Sequence, residues 1–180
     1  MDSRSVLRKI KLVIIDVDGV LTDGSIYVDQ NGYETKSFNI VDGTGITYLH
    51  RVGIKTAIIS GRTSKAVIHR AKELKIEDVY QGSHNKLEAY VIIRDKYELK
   101  DEEICYIGDD LIDIPILRCV GFPVAVANAS PIVKQLSVYV TKTKGGSGAV
   151  REVAEKIITF QDKWHIIMER YLNPSVRSTI

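Results

Sequence analysis

Two aspartates close together follow the first apolar segment of the chain. Asp16 and Asp18 come directly after residues 12–15, a run of Leu-Val-Ile-Ile, and Gly19 can turn the chain behind them. Carboxylates at such a short spacing repel each other unless a cation or a shared proton relieves them. The pattern indicates a Mg²⁺ site in which one aspartate is a nucleophile and the other transfers protons. The alternative is an acidic surface turn, because Asp and Gly are common turn residues.

Three more polar residues follow apolar runs further along the chain. They are Ser60 after residues 56–59, Lys86 one loop beyond residues 79–80, and Asp109 after residues 104–107. Phosphoryl transfer depends on charge placement: a carboxylate attacks phosphorus, while Mg²⁺, a lysine and a hydroxyl group stabilise the phosphate oxygens. The set therefore predicts a phosphoryl-transfer site rather than a simple acidic turn.

Short strands that alternate with helices must position these residues. Apolar, β-branched runs predict strands at residues 12–15, 56–59, 79–80, 104–107, 124–126 and 138–140. Helical patterns occur at residues 42–51, 64–74 and 86–97, from residues 113 and 131 onward, and at residues 149–160. This alternation predicts an α/β fold with a doubly wound, mostly parallel sheet whose carboxyl edge carries the chemistry.

Residues 24–38 surround Asn31-Gly32, a dipeptide typical of a two-residue hairpin turn. Pairing around that turn predicts two facing pairs, Val28 with Thr35 and Tyr27 with Lys36. We expect this hairpin to protrude from the sheet as a flap. A plain hairpin at the edge of the main sheet is the alternative.

Length and composition limit the class of protein. A chain of 180 residues predicts one domain over residues 1–180, with a C-terminal tail at 161–180 that carries apolar residues at helical spacing. A net charge of +2 gives no electrostatic reason to expect nucleic acid as a partner. Apolar runs fall short of the ~20 residues that span a bilayer, and no signal peptide is recognisable. We expect a cytoplasmic protein in which Cys105 and Cys119 are buried, reduced thiols.

The candidate residues resemble the four motifs of the haloacid dehalogenase superfamily, in the order of that family. The motifs are Asp16-Val17-Asp18-Gly19-Val20-Leu21-Thr22, Ser60-Gly61-Arg62, Lys86, and Gly108-Asp109-Asp110 with Asp113. By this resemblance, Asp110 and Asp113 are expected to orient the metal shell or Lys86 rather than bind the metal directly.

The resemblance implies a Rossmann-like core and a Mg²⁺-dependent phosphatase. Asp16 is expected to form an aspartyl-phosphate, and Asp18 to act as general acid and base. Ser60 and Lys86 are expected to bind the transferring phosphate. Mg²⁺ is expected to bind Asp16, the backbone carbonyl of Asp18, and Asp109.

The spacing of the motifs leaves no room for a cap domain. Between Asp16 and Ser60 the chain holds only the hairpin and one helix. This capless layout, the hairpin, and residues 39–43 and 145–152 resemble the tetrameric 3-deoxy-D-manno-octulosonate 8-phosphate phosphatases of lipopolysaccharide synthesis. The resemblance implies hydrolysis of an acidic sugar phosphate, while the balanced charge and the short apolar runs give no reason to expect nucleic acid or a membrane as a partner. Because an uncovered site admits water, we expect a homotetramer in which the 24–38 hairpin packs against neighbouring subunits.

The carboxylate of an acidic sugar needs a cationic partner. Arg62 follows the Ser60-Gly61 pair, and Arg70 lies further along the next predicted helix on about the same face. We expect Gly61, Arg62 and Arg70 to bind the substrate. A solvated helix charge is the alternative for Arg70.

Two other functions remain open at this stage. One is a phosphatase for a nine-carbon acidic sugar 9-phosphate of the neuraminate or deaminoneuraminate type, although Arg62 favours the eight-carbon sugar. The other is a non-catalytic regulator that accepts phosphate on an aspartate, as receiver domains do. Asp18 favours turnover, because a regulator of that kind has no group to transfer protons.

Overall fold

Six strands form one parallel sheet, which confirms the predicted doubly wound α/β fold. The structure is a computed structural model and describes residues 3–173. The strands are β1 (Leu12–Ile15), β2 (Tyr27–Val28), β3 (Glu34–Thr35), β4 (Lys55–Ile59), β5 (Asp78–Tyr80), β6 (Ile104–Gly108), β7 (Phe122–Ala125) and β8 (Tyr139–Val140). The order in the main sheet is β5-β4-β1-β6-β7-β8. Residues 174–180 of the predicted tail lie outside the described residues.

Helices cover the sheet, and all except the first of them, which was not predicted, agree with the predicted pattern, with ends that differ by a residue or two. They are α1 (Ser3–Leu7), α2 (Ile40–Arg51), α3 (Lys65–Glu73), α4 (Lys86–Lys96), α5 (Ile114–Leu117), α6 (Pro131–Leu136), α7 (Ala149–Phe160) and α8 (Trp164–Leu172). Helix α2 begins earlier than predicted, because the side chain of Asn39 accepts the backbone N–H of Val41. In the described residues no helix combines the length and the apolar character needed to cross a membrane.

Strand β1 lies at the centre of the sheet and fixes where the chemistry is. Its four residues are fully buried, as expected for a strand covered on both faces. It pairs in parallel with β4 on one side and β6 on the other, so that Ile15 faces Ile58 and Ile107. The carboxyl ends of three neighbouring strands therefore align at one edge. Asp16, Ser60 and Asp109 follow directly at that edge.

Strands β2 and β3 form a separate antiparallel hairpin, which confirms a protruding flap rather than an edge of the main sheet. The predicted register is wrong by one residue: Tyr27 faces Thr35, and Val28 faces Glu34. Lys36 was expected to pair with Tyr27, but it lies beyond the paired residues and its side chain is buried. The register therefore decides which hairpin side chain turns inward.

The turn of the hairpin explains the shifted register. The carboxylate of Asp29 accepts the backbone N–H groups of Asn31 and Tyr33, each at 2.8 Å. Gly32 has φ +80°, in the left-handed region that glycine adopts without strain. An aspartate-capped turn that ends in a left-handed glycine makes the loop one residue longer than the Asn-Gly turn.

Helices α2 and α7 pack closely, and Gly45 permits this contact. A Cβ atom on Gly45 would lie 2.7 Å from Cα of Arg151. The buried carboxylate of Asp42 accepts the backbone N–H groups of Gly148 and Arg151 at the start of α7, at 3.0 and 3.1 Å. These contacts fix α2 against the start of α7.

The two cysteines differ in exposure. Cys105 is buried in β6, as predicted, whereas Cys119 is exposed. The prediction of two buried thiols is therefore wrong for Cys119. The physical reason is that Cys119 lies in the surface turn that follows α5, where the apolar pattern of the sequence does not mark a strand or a helix face.

Candidate active site

The ammonium group of Lys86 lies at the centre of the site. Lys86 is the first residue of α4, and its side chain is 1% exposed. Its Nζ lies 2.6 Å from Oδ1 of Asp16 and 2.7 Å from Oδ1 of Asp113. Burial opposes the charge, yet these two carboxylates hold the pKa of Lys86 above its ordinary value. The lysine is therefore a fixed cation between two strand ends.

Both carboxylate oxygens of Asp113 accept hydrogen bonds from the protein, so this residue is suited to position its neighbours. Tyr106 donates to Oδ1 at 2.6 Å, and the backbone N–H groups of Asp109 and Asp110 donate to Oδ2 at 2.8 and 3.1 Å. Gly108 makes room for this carboxylate, since a Cβ there would lie 2.6 Å from Oδ2. The geometry suits a residue that orients Lys86 and the loop after β6.

Three carboxylates crowd this edge of the sheet. Oxygens of Asp16, Asp109 and Asp113 lie within 4.8 Å of one another. Burial, reinforced by the charge of Asp113, raises the pKa of Asp16 to about 7. Burial, reinforced by the charge of Asp16, raises the pKa of Asp109 to about 8. Three acids thus share one lysine, and a further cation would relieve the repulsion.

The donor set fits Mg²⁺, which prefers hard oxygen ligands. Because both oxygens of Asp113 already accept hydrogen bonds, Asp16 and Asp109 are the better placed carboxylates. Gly19 lets the carboxylate of Asp109 approach the loop after β1, since a Cβ on Gly19 would lie 2.0 Å from Oδ2 of Asp109. The backbone of Asp18 belongs to the same loop and can supply the carbonyl oxygen predicted from the sequence.

Two residues of the hairpin reach the site, and sequence reasoning missed both. The ammonium group of Lys36 contacts Oδ1 of Asp18 and lies 3.2 Å from Oε1 of Glu34, with a side chain that is 1% exposed. Glu34 binds Nη2 of Arg62 at 2.7 Å. Their signal in the sequence is a pair of charges at alternate strand positions, which a solvated hairpin also shows.

The predicted phosphate-binding residues lie beside these acids. Ser60 is buried, and its Oγ accepts the backbone N–H of Arg62 at 3.2 Å. A cavity of about 340 Å³ is lined by every residue predicted to take part in catalysis or to bind the metal or the substrate, except Arg70. It adds three residues to that set, which are His84, Asp110 and Ile112.

Arg70 lies elsewhere. Its Nη1 lies 2.8 Å from Oε2 of Glu73, and Nη2 donates to the backbone oxygen of Asn39 at 3.4 Å. It lines a separate groove with residues of α2 and with Tyr171. The reason is the direction of α3, which packs the guanidinium group over Gly43, where a Cβ would come within 2.4 Å of Nη2. The structure therefore does not bring Arg70 to the pocket.

Asn128 is a further residue that the sequence did not point to. Its amide group donates to the carbonyl oxygen of Gly19 at 3.3 Å, and its Oδ1 accepts the N–H of Gly145 at 2.7 Å. Gly145 must be a glycine, because a Cβ there would lie 1.7 Å from the carbonyl oxygen of Gly19. This clamp holds the loop that carries Asp18.

Comparison with known proteins identifies the family of the chain. The family model for haloacid dehalogenase-like hydrolases matches residues 75–153. The chain is 48% identical over 154 residues to 3-deoxy-D-manno-octulosonate 8-phosphate phosphatase KdsC of Yersinia pestis, which covers 86% of this chain and 82% of the relative. It is 47% identical over 156 residues to the protein of the same name from Escherichia coli K12, covering 87% and 83%.

A solved structure extends the likeness to three dimensions. The 3-deoxy-D-manno-octulosonate 8-phosphate phosphatase of Moraxella catarrhalis, in complex with a magnesium ion, a phosphate ion and KDO, superimposes with a TM-score of 0.90. It is 40% identical, and the match covers 93% of this chain and 97% of that one. The resemblance inferred from the motifs is thereby confirmed. The chain belongs to the family of the 3-deoxy-D-manno-octulosonate 8-phosphate phosphatases, within the haloacid dehalogenase-like hydrolases.

Proposed function

We propose that the protein hydrolyses 3-deoxy-D-manno-octulosonate 8-phosphate to the free sugar acid and inorganic phosphate, a step toward lipopolysaccharide. The observation that carries this proposal is the buried ammonium group of Lys86, held 2.6 Å from the carboxylate of Asp16 at a sheet edge where further carboxylates converge. Two supports stand beside it: the relatives bear the name of this activity, and one relative was solved with magnesium, phosphate and the sugar acid.

The first half of the reaction uses Asp16 and Asp18. A carboxylate oxygen of Asp16 attacks phosphorus, the bond between phosphorus and the sugar O8 breaks, and an aspartyl-phosphate forms. Asp18 gives a proton to the departing sugar oxygen. Lys86, already within 2.6 Å of the nucleophile, neutralises charge on the phosphoryl oxygens, and Ser60 lies beside it to hold them.

The second half returns the enzyme to its starting state. Asp18 takes a proton from a water molecule, whose oxygen attacks the phosphorus of the aspartyl-phosphate. The bond between phosphorus and Asp16 breaks, which releases inorganic phosphate and restores the carboxylate. Lys36 touches Asp18 from the hairpin and keeps this carboxylate in place through both proton transfers.

Asp16, Asp109 and the backbone carbonyl of Asp18 are the proposed Mg²⁺ ligands. When bound, the cation neutralises the phosphate oxygens and the crowded carboxylates. Gly61 and Arg62 line the same pocket and are the proposed contacts for the rest of the substrate. Arg62 is the proposed partner of the sugar carboxylate, through two parallel hydrogen bonds.

Phosphate release tests the proposal. With Mg²⁺ in excess, we expect turnover of the eight-carbon 8-phosphate, and EDTA should lower the rate by about 10²-fold or more, because a metal ion contributes several kcal/mol at a phosphoryl centre. The 9-phosphate of N-acetylneuraminate should be at least about 10-fold poorer in kcat/KM, because a longer chain places its carboxylate away from Arg62. Equal rates on both sugars would contradict the substrate assignment. Labelling of Asp16 without turnover would favour the regulator.

The hairpin is the proposed subunit contact, and a homotetramer is the proposed assembly. Ile26, Tyr27, Val28 and Tyr33 expose apolar side chains on it, and Tyr33 is 72% exposed. Exposed apolar groups at such density are typical of a surface that another chain covers.

A cytoplasmic location belongs to the same proposal and is supported by the free thiols of Cys105 and Cys119.

Replacing Tyr27 and Tyr33 together with serine is expected to leave a monomer, because the variant loses most of the apolar surface available for burial. Light scattering on a sizing column at micromolar concentration measures the change. The matched control is Ile92→Ser, which removes an equally exposed apolar side chain from α4 and should leave the assembly intact. A monomeric wild-type protein at that concentration would refute the proposed contact.

A further inference from the structure

Arg62 stands at the rim of the pocket and already holds a carboxylate. Its side chain is 51% exposed, and its Nη2 lies 2.7 Å from Oε2 of Glu34 on the hairpin strand β3. The same guanidinium group extends toward Asp18, with Nε 3.9 Å from Oδ2. A residue of the flap therefore occupies the one arginine of the described chain that lines this pocket.

Glu34 is held as a bound carboxylate ligand would be held. Two cations face it, Arg62 and the buried ammonium group of Lys36 at 3.2 Å from Oε1. Hydrogen bonding from Arg62 keeps the pKa of Glu34 below its ordinary value, so the side chain is an anion at neutral pH. Its Oε1 is nevertheless buried without a well-formed hydrogen bond among the described residues. Of the two carboxylate oxygens of Glu34, only Oε2 therefore accepts a well-formed hydrogen bond, which comes from Arg62.

A ligand that brings its own carboxylate can make the better contact. Guanidinium groups bind carboxylates best through two parallel hydrogen bonds, whereas Glu34 uses one Nη atom. Ion pairs at exposed positions are weak, so exchange of one carboxylate for another is easy. A phosphate ester without a carboxylate has nothing to exchange.

We propose that Glu34 occupies the place of the substrate carboxylate on Arg62 and competes with it, so that an acidic phosphate ester must displace Glu34 before it can bind Arg62. This inference rests on the proposed function, since it concerns the carboxylate of the same substrate class at the same pocket. Glu34 then weakens the binding of acidic phosphate esters, whereas neutral esters, which have no carboxylate to offer Arg62, are unaffected.

Glu34→Gln tests whether Glu34 competes with the substrate carboxylate for Arg62. The variant keeps the shape and removes the charge, so KM for 3-deoxy-D-manno-octulosonate 8-phosphate should fall by about 2- to 5-fold, the factor expected for an exposed ion pair. KM for p-nitrophenyl phosphate, which carries no carboxylate, should stay within about 2-fold. Because Glu34 also contacts Lys36, any change in kcat should be the same for both esters. The matched control is Glu155→Gln, which removes a carboxylate paired with Arg151 on α7 and should change neither KM.

A second measurement works even if the 8-phosphate is not a substrate. The free sugar acid should inhibit hydrolysis of p-nitrophenyl phosphate more strongly in Glu34→Gln than in the wild type, by the same factor. In an Arg62→Met background, Glu34→Gln should have no such effect, because the two residues act through one contact. Weaker inhibition in Glu34→Gln, or equal changes in KM for both esters, would overturn the proposal. Failure of the wild type to hydrolyse the 8-phosphate would instead count against the proposed function.

Discussion

Asp16→Asn should lower phosphate release by about 10⁴-fold or more, because an amide oxygen is a poor nucleophile and no covalent intermediate can form. Asparagine has nearly the shape of aspartate, so substrate should still bind. Burial raises the pKa of Asp16 to about 7, which means that the folded state holds a proton that the unfolded state releases. Stability contributed by this group therefore falls as pH rises from about 4 to 7.

The neutral amide should consequently not weaken the fold. At about pH 8 in Mg²⁺-free buffer, Asp16→Asn should unfold at the same temperature as the wild type or higher, since it removes a desolvated charge that repels Asp113. Phosphate release and thermal unfolding measure the two effects. Asp95→Asn, an exposed aspartate beside Arg94, is the control and should change neither. A variant with more than about a hundredth of wild-type activity would exclude Asp16 as the nucleophile.

The residues at the strand ends could be predicted because the sequence carries their positions directly. Buried parallel strands are continuous apolar runs, and β1, β4 and β6 all show them. Strand ends in such a sheet align, so Asp16, Ser60 and Asp109 had to meet. Lys86 could be included because it begins the helix after β5, at the same edge of the sheet.

The residues that approach from outside the sheet could not be predicted in the same way. Lys36 and Glu34 contact Asp18 and Arg62 from a hairpin whose register is shifted by one residue. Asp29 fixes that shift by accepting two backbone N–H groups. Arg70 has the spacing of a substrate ligand, but α3 directs it to α2. A periodic pattern predicts which residues share one face of a helix. Which element that face packs against depends on residues distant in the sequence.

Lys86→Met is expected to combine a catalytic loss with a loss of stability. Without the ammonium group, the phosphate oxygens beside Asp16 lose the cation that neutralises them there, so kcat/KM should fall by about 10²- to 10³-fold. The buried carboxylates of Asp16 and Asp113 lose their shared partner at 2.6 and 2.7 Å. Removing one member of a buried ion pair typically lowers the free energy of unfolding by about 3–5 kcal/mol.

The pH and the metal should change the size of that stability loss. Without Lys86, which holds the pKa of Asp16 down, that pKa rises further, so the variant loses more stability than the wild type as pH rises from about 6 to about 8. Mg²⁺ should restore part of the stability, because it supplies positive charge at the same carboxylates. Urea unfolding with and without Mg²⁺, together with phosphate release, measures both effects.

Lys96→Met is the matched control on the same helix. Lys96 also binds an aspartate at 2.7 Å, but its side chain is 47% exposed and its partner Asp78 accepts a second hydrogen bond from Tyr97. Solvent screens such a pair, so activity and unfolding should stay close to wild type. Equal losses for both variants would mean that Lys86 merely anchors α4. A large loss of activity and stability for Lys86→Met alone would indicate that the ammonium group acts at the cluster of Asp16, Asp109 and Asp113.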